Sequence, residues 1–206
     1  MISLVEIRNV DGVVPAGEDI VSFGVLLNNR LISNLVNDKQ LLIEPWKPSE
    51  NLQFAQYALN PAVVLFEDQN GEEQLFDLRK KPYIFEPNEY VKVMIEQTII
   101  LPEGIVGRFI AASGLIEAGF GITVGKLDPK YGDNQETIQF GLKNLKNKKN
   151  EFSRTGQFTK RIAYVEFFDL RNLPVELGEV RQYDYDVYEK RRIRELLKEK
   201  GIPDEY

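Results

Sequence analysis

The feature that most constrains the fold is a series of short segments rich in Val, Ile, Phe and Tyr. They are separated by turn residues such as "DQNG" at 68–71 and "DPKYGDN" at 128–134. β-branched and aromatic residues favour strands, whereas Gly, Pro, Asn and Asp favour turns. Short strands at this spacing predict an all-β sandwich or a barrel-like jelly roll rather than alternating β–α units. The predicted strands cover 62–68, 73–78, 90–101, 105–112, 136–144 and 161–170.

Two helices are expected beside these strands. Ser33 is a plausible N-cap for a short helix over 34–40. A second helix is predicted over 185–201, where a thin apolar stripe ends at Gly201 and Pro203. This helix could pack on the body of its own chain or grip a neighbouring subunit. Both interpretations remain open from the sequence.

The chain divides into three predicted parts. Residues 1–30 are interpreted as an N-terminal β extension, residues 31–178 as the main domain, and residues 179–206 as a C-terminal helical tail. A length of 206 residues suits one domain with such additions.

Composition excludes several kinds of chemistry. Cys and His are both absent, so disulfides, thiolate nucleophiles and zinc sites built on these residues are impossible. A net charge of −6 argues against general nucleic-acid binding, and "KNLKNKKN" at 143–150 is interpreted as a solvated loop. No apolar run reaches the roughly 18 to 20 residues that span a bilayer. The start has no signal-peptide pattern, and a cytoplasmic or virion-associated, not secreted, protein is expected.

Four segments, in the correct order, resemble the dCTP deaminase and trimeric dUTPase superfamily. The resemblance implies a distorted jelly-roll domain, usually a homotrimer, with sites shared between neighbouring subunits. The four segments are "LISNLVNDKQLLIEPWKPSENLQFAQYALN" (31–60), "EPNEYVKVMIEQTIILPEGIVGRFIAASGL" (86–115), "GKLDPKYGDNQETIQFGLKN" (125–144) and "KRIAYVEFFDL" (160–170).

The nucleotide-binding loop of the family is only partly matched. The deaminases read G-K-S-S-x-x-R, in which cations and hydroxyls hold the triphosphate. The similar stretch here is "AASGLIE", so Ser113 and Gly114 are the candidate nucleotide-binding residues. Ala112 replaces the lysine, and Glu117 replaces the arginine. A carboxylate facing a triphosphate repels it, so binding in the usual pose is not expected.

The catalytic positions also depart from the family. The deaminase base is a glutamate in the strand I-T-L-E-L, and the similar stretch "IQFGL" has Gly141 at that place. A glycine cannot take a proton through its side chain. The dUTPases use an aspartate in G-x-I-D-x-x-Y to activate water, with Mg²⁺ on the phosphates. "GKLDPKY" keeps this pattern, so Asp128 is the candidate catalytic residue and Tyr131 a candidate nucleotide contact.

Other parts of the family's site are absent. The family's S-V-D-L-R appears as "QYALN", with Ala58 and Asn60 in place of the acidic and basic members. Only Val124 separates Thr123 from Gly125, where the family has several pocket residues. The C-terminal tail has no glycine-rich phosphate lid.

Three functions remain as hypotheses. The first is a non-catalytic, self-associating structural or protein-interaction module, for example a virion or accessory protein of a virus, with no cofactor. Its partner would bind the N-terminal extension or the C-terminal helix. The alternative is a divergent Mg²⁺-dependent hydrolase of dUTP or a related dNTP, with Asp128 as base and cations from Arg108, Lys126 or Lys130. The third is a nucleotide-binding protein without turnover. No metal-ligating residues are predicted.

Overall fold

A computed structural model of the chain describes residues 24–129 and 137–171. These residues form mainly strands with three short helices. The helices are α1 (Asn29–Asn37), α2 (Pro48–Asn51) and α3 (Ser113–Ala118). The strands are β1 (Val25–Leu26), β2 (Leu42–Glu44), β3 (Tyr57–Leu59), β4 (Pro61–Glu67), β5 (Glu73–Asp77), β6 (Tyr83–Phe85), β7 (Tyr90–Ile95), β8 (Thr98–Ile100), β9 (Ile105–Ala111), β10 (Phe120–Thr123), β11 (Lys126–Leu127), β12 (Gln139–Asn144), β13 (Asn150–Phe152) and β14 (Ala163–Asp169).

Two five-stranded sheets form the body of the domain. Sheet I has the order β1-β14-β9-β11, with β3 also paired to β14. Sheet II has the order β10-β12-β7-β4-β5. Two further pairs, β13-β6 and β2-β8, complete the described strands. Since most neighbours are distant in sequence, the arrangement is a jelly-roll type of sandwich rather than a meander, and the expected all-β class is confirmed.

The core follows from the alternation of residues along the strands. In β14, Ala163, Val165 and Phe167 are fully buried, while the residues between them face outward. The rings of Phe109 in β9 and Phe140 in β12 meet edge to face with centroids 5.1 Å apart, which joins the two sheets.

The short helix near the N-terminus begins earlier than predicted. Helix α1 starts at Asn29, and the Asn28 side chain accepts a hydrogen bond from the Leu31 amide at 3.0 Å, so Asn28 and not Ser33 is the N-cap. The early start places Ile32 and Leu35 on the buried face. The helix ends before Lys39, whose positive φ of 56° cannot continue it.

The segment predicted as a single strand over 90–101 is divided into β7 and β8. The Glu96 amide donates to the Asn60 carbonyl, and the fully buried Gln97 side chain bonds Asn60, so the ladder is interrupted there. The predicted turn at 68–71 is confirmed, because Gly71 adopts a φ of 78° and the Asp68 carboxylate accepts from the Asn70 and Glu72 amides.

Two of the predicted parts fall largely outside the described residues. The predicted C-terminal helix over 185–201 and most of the N-terminal extension lie outside the residues that the structure describes. The division of the chain at residues 30 and 178 therefore stays a prediction. None of the helices within 24–129 and 137–171 is long and apolar enough to cross a membrane.

Candidate functional site

The predicted nucleotide loop is a short helix in the structure. Ser113 is the first residue of α3, its side chain is exposed, and its hydroxyl makes no hydrogen bond within the described part of the chain. Gly114 lies against the backbone of residue Phe158, because a Cβ atom on it would stand 2.6 Å from the Phe158 carbonyl oxygen. The glycine is therefore required by packing, whatever the loop binds.

Gly119, at the C-terminal end of α3, also has a structural role. Gly119 ends α3 in the left-handed conformation, with a φ of 80°, and its amide bonds back to the carbonyls of the last turn. Glu117 is exposed on α3, while Ala112 is buried and its amide donates to the Ile162 carbonyl. This stretch thus holds an exposed carboxylate and no cation.

The acidic turn that contains Asp128 follows β11, which is an edge strand of sheet I. The Asp128 carboxylate is half-exposed and lies 3.0 Å from the ammonium of Lys126. The second proposed cation, Arg108, pairs with Glu166 at 2.6 Å and lies over the Phe168 ring. Both cations are thus engaged by their own chain. Tyr131 and Lys130 lie outside the described residues.

Ser113 and Asp128 are not brought together within one chain. Leu127 pairs with Gly107, so Asp128 stands level with Val106, near the start of β9. Ser113 follows the far end of that strand, seven residues further along. At about 3.3 Å per residue the two are about 23 Å apart. A single site could use both residues only if they came from different copies of the chain.

The position of the deaminase base is filled by other side chains. Gly141 lies in β12 between Thr123 of β10 and Lys92 of β7. Its amide donates to the Thr123 hydroxyl at 3.1 Å. A Cβ atom on Gly141 would stand 2.7 Å from both Thr123 Oγ1 and Tyr90 Cζ, and closer still to the Tyr90 hydroxyl. Since real Cβ atoms do not approach heavy atoms this closely, no larger residue fits there without rearrangement.

Asn60, at the place of the family's arginine, belongs to a closed amide network. Its side-chain oxygen accepts from Asn51 at 2.8 Å and from Gln97 at 2.9 Å, and its amide nitrogen donates to the Lys160 carbonyl at 3.0 Å. Asn51 and Gln97 are buried. Every polar group of the Asn60 side chain is therefore used internally.

The neighbouring residues of this segment are also structural. Ala58 is fully buried. The fully buried Tyr57 stacks on Trp46, and burial raises the pKa of its hydroxyl, so it stays neutral. Its hydroxyl donates to the Pro45 carbonyl and accepts from the Lys47 amide. The segment "QYALN" has thus become part of the core.

Two of the residues that define this site were not found from the sequence. Tyr90 and Thr123 cover Gly141, and neither stands out in a motif. The available signal was the alternation of β7, which places the aromatic Tyr90 on the outer face of sheet II. No group of three or more Asp and Glu residues that could hold a metal ion occurs among the described residues.

Comparison with known proteins gives a match in structure but not in sequence. No protein-family model matches the chain, and no curated protein matches it significantly. The structure is similar to the 2′-deoxycytidine 5′-triphosphate deaminase of Agrobacterium tumefaciens, with a TM-score of 0.54 and 12% identity over 87% of this chain and 54% of that chain. Weaker similarity extends to the dUTPase of Streptococcus mutans (TM-score 0.43, 14% identity, 67% of this chain and 98% of that chain) and to the dUTPase of phage phi11 of S. aureus (0.40, 14%, 70% and 96%).

The likeness to the deaminase concerns the fold. The chain spans about half the length of that deaminase, and an identity of 12% does not transfer its activity. The chain therefore has the β jelly-roll fold of the dCTP deaminase and dUTPase-like proteins, as its sequence predicted.

Proposed function

We propose that this chain is a non-catalytic protein of the dCTP deaminase and dUTPase-like fold that acts as a self-associating structural or protein-interaction module. The observation that carries the proposal is the environment of Gly141. The family's catalytic glutamate would stand at this position, and the side chains of Tyr90 and Thr123 occupy the space that it would need. A deaminase must place a base beside the attacking water, and neither a glycine nor the Tyr90 hydroxyl replaces that carboxylate.

Triphosphate binding is also poorly supported by the site. Glu117 presents an exposed carboxylate on the same short helix as Ser113 and Gly114. Phosphates need cations and hydrogen-bond donors instead. Lys126 and Arg108 are held by Asp128 and Glu166. The amide groups of Asn60 are used by the network with Asn51 and Gln97. Each change removes a different part of the binding chemistry.

Self-association is proposed from the resemblance to the family. The family's homotrimers build each site from neighbouring subunits, and the 23 Å separation of Ser113 and Asp128, estimated at about 3.3 Å per residue, agrees with such a division. We propose that the trimer is kept after the loss of chemistry. Another protein would bind the N-terminal extension or the C-terminal tail, and the assembly would be cytoplasmic or virion-associated.

A specific observation keeps the hydrolase alternative in view. The Asp128 carboxylate is 47% exposed, so water and a nucleotide phosphate could reach it. In that case Mg²⁺ would be held by the substrate phosphates, and Asp128 would activate the attacking water. The same turn would serve a protein that binds a nucleotide without turning it over.

The deciding experiment is incubation of the full chain with dUTP, dCTP and the other dNTPs in the presence of Mg²⁺. The proposal expects no pyrophosphate, monophosphate or deaminated product, and no thermal shift with any nucleotide. Turnover that is lost in Asp128→Asn but kept in the exposed control Asp38→Asn would overturn it in favour of the hydrolase. A thermal shift without product would favour the nucleotide-binding protein. A strictly monomeric chain would contradict self-association.

A further inference from the structure

A row of charged and aromatic side chains crosses the outer face of sheet II. Glu73 of β5 stands directly opposite Glu67 of β4, and Tyr90 of β7 stands directly opposite Lys143 of β12. Leu65 of β4 pairs with Lys92 of the antiparallel β7. Two residues forward along β4 and two residues back along β7, the same register places Glu67 beside Tyr90. The row therefore reads Glu73, Glu67, Tyr90, Lys143 across four adjacent strands.

This row is accessible in the single chain. Tyr90 is 57% exposed, and the side chains of Glu73, Glu67 and Lys143 are exposed as well. A depression of about 260 Å³ lies beside Tyr90 and is lined by these glutamates, Leu65 and Lys92. The aromatic ring thus stands at the centre of an open surface, with charges on both sides of it.

The charges in the row are unbalanced within the chain. Glu67 and Glu73 face each other directly, which is unfavourable for like charges on neighbouring strands. Lys92 lies 3.9 Å from Glu73 and offsets part of this repulsion. The side chains of Glu67 and Lys143 make no ion pair or hydrogen bond with any residue of the described part of the chain. A positive charge placed over Glu67 would relieve the repulsion.

We propose that this face of sheet II binds the same face of a second copy of the chain. Glu67 and Lys143 lie on the two strands that flank the strand of Tyr90, and neighbouring strands are about 4.8 Å apart. A two-fold axis parallel to the strands above Tyr90 therefore places Glu67 of each copy over Lys143 of the other. An axis across the strands would place Glu67 over Glu67, so the charge pattern selects the first geometry.

The resulting contact has the composition of a specific interface. Two tyrosine rings meet at its centre, and opposite charges surround them. Two sheets packed face to face stand about 10 Å apart, so these side chains can meet. Such a two-fold contact uses one surface twice and closes on itself. The inference rests on the proposed self-association and adds a two-fold contact to it.

The test measures the mass of the full chain in solution, by light scattering or sedimentation, for three charge variants. Lys143→Glu alone and Glu67→Lys alone should each halve the mass of the assembly or weaken the two-fold contact at least tenfold, because like charges then face each other. The double variant Glu67→Lys/Lys143→Glu should restore the wild-type mass, and so should a mixture of the two single variants. The exposed control Lys39→Glu should have no effect.

The outcomes separate this inference from the proposed function. A wild-type chain that is monomeric at all concentrations contradicts both. A stable assembly that is insensitive to Lys143→Glu and Glu67→Lys contradicts the two-fold contact alone. Loss of mass that neither the double variant nor the mixture restores also contradicts it, since the effect would then not come from the pairing of these charges. Thermal melting of each variant establishes that it is folded.

Discussion

The surroundings of Gly141 and of Asp128 differ in how much free space each position has around it. Gly141 lies in the middle of sheet II, and the side chains of Tyr90 and Thr123 fill the space above it. Asp128 lies at the end of β11 with its carboxylate half-exposed and, within the described residues, paired with Lys126. Gly141 is therefore covered by two side chains, whereas Asp128 is open, and the two described cations proposed for its site, Lys126 and Arg108, are both paired.

The difference shows that the two positions should respond differently to substitution. A larger side chain at Gly141 must displace its neighbours. The half-exposed Asp128 carboxylate can be replaced without such displacement. Substitutions at the two places should consequently differ in their cost to stability.

The largest effect is expected for Gly141→Glu. The new side chain would have to displace the exposed side chains of Tyr90 and Thr123, so the free energy of unfolding should fall by about 3 kcal/mol or more. Denaturant unfolding measures this loss. Gly141→Ala should cost about 1–3 kcal/mol, and Gly125→Ala, which has open space around its Cβ position, is the matched control.

The source of this loss can be assigned by a double-mutant cycle. Tyr90→Ala removes the ring that covers Gly141, so Gly141→Ala should be much less costly in the Tyr90→Ala background than in the wild type. Equal costs in the two backgrounds would contradict the conclusion that Tyr90 blocks this position.

The second largest effect is expected for Asn60→Ala. The substitution leaves the buried amides of Asn51 and Gln97 without their shared acceptor, at a cost of about 2–4 kcal/mol. Chemical denaturation of this variant and of the exposed control Gln69→Ala provides the comparison. A cost no larger than that of Gln69→Ala would mean that the network does not hold this end of the domain together.

A small effect is expected for Asp128→Asn. Among the described residues, the carboxylate loses an exposed ion pair with Lys126, which contributes at most about 1 kcal/mol and less in high salt. Thermal melting at low and high ionic strength measures it. If the variant lost several kcal/mol at both salt concentrations, the turn would have a structural role beyond this ion pair.

The smallest effect on stability is expected for Glu117→Arg. The side chain is exposed on α3, so the free energy of unfolding should change by less than about 0.5 kcal/mol. No thermal shift with dUTP or dCTP is expected, since one added cation does not rebuild the rest of the phosphate site. A clear nucleotide-dependent shift would mean that the loop keeps its binding geometry and lacks only charge.

The strands were the most predictable part of the fold. The segments that became β4, β5, β9 and β14 were recognised within about two residues, because hydrophobic alternation and flanking turns are local properties of the chain. Helix α3 was not expected, since "SGLIEA" is short and contains a glycine that normally disfavours a helix. Gly119 behind it was the signal that could have revealed its end.

For the candidate site, the sequence predicted only which residues of the family's motifs are missing. The replacements at Ala112, Glu117, Asn60 and Gly141 were visible in the sequence, because each departs from a motif of the family. The side chains that surround these positions could not be predicted from the sequence. Tyr90 reaches Gly141 from the neighbouring strand, which comes from a distant part of the chain, and Asn60 bonds Gln97, which is 37 residues away.

The sequence by itself determined that this protein is mainly β, lacks the chemistry of Cys and His, and resembles the deaminase and dUTPase fold. These conclusions depend on residue types, their alternation and the order of motifs, which are all properties of the linear chain. The tertiary structure decided that the base position is filled, that Asn60 is a structural residue, and that Glu67 and Lys143 flank an exposed tyrosine. These facts depend on strand register, which is set by contacts between residues far apart in sequence.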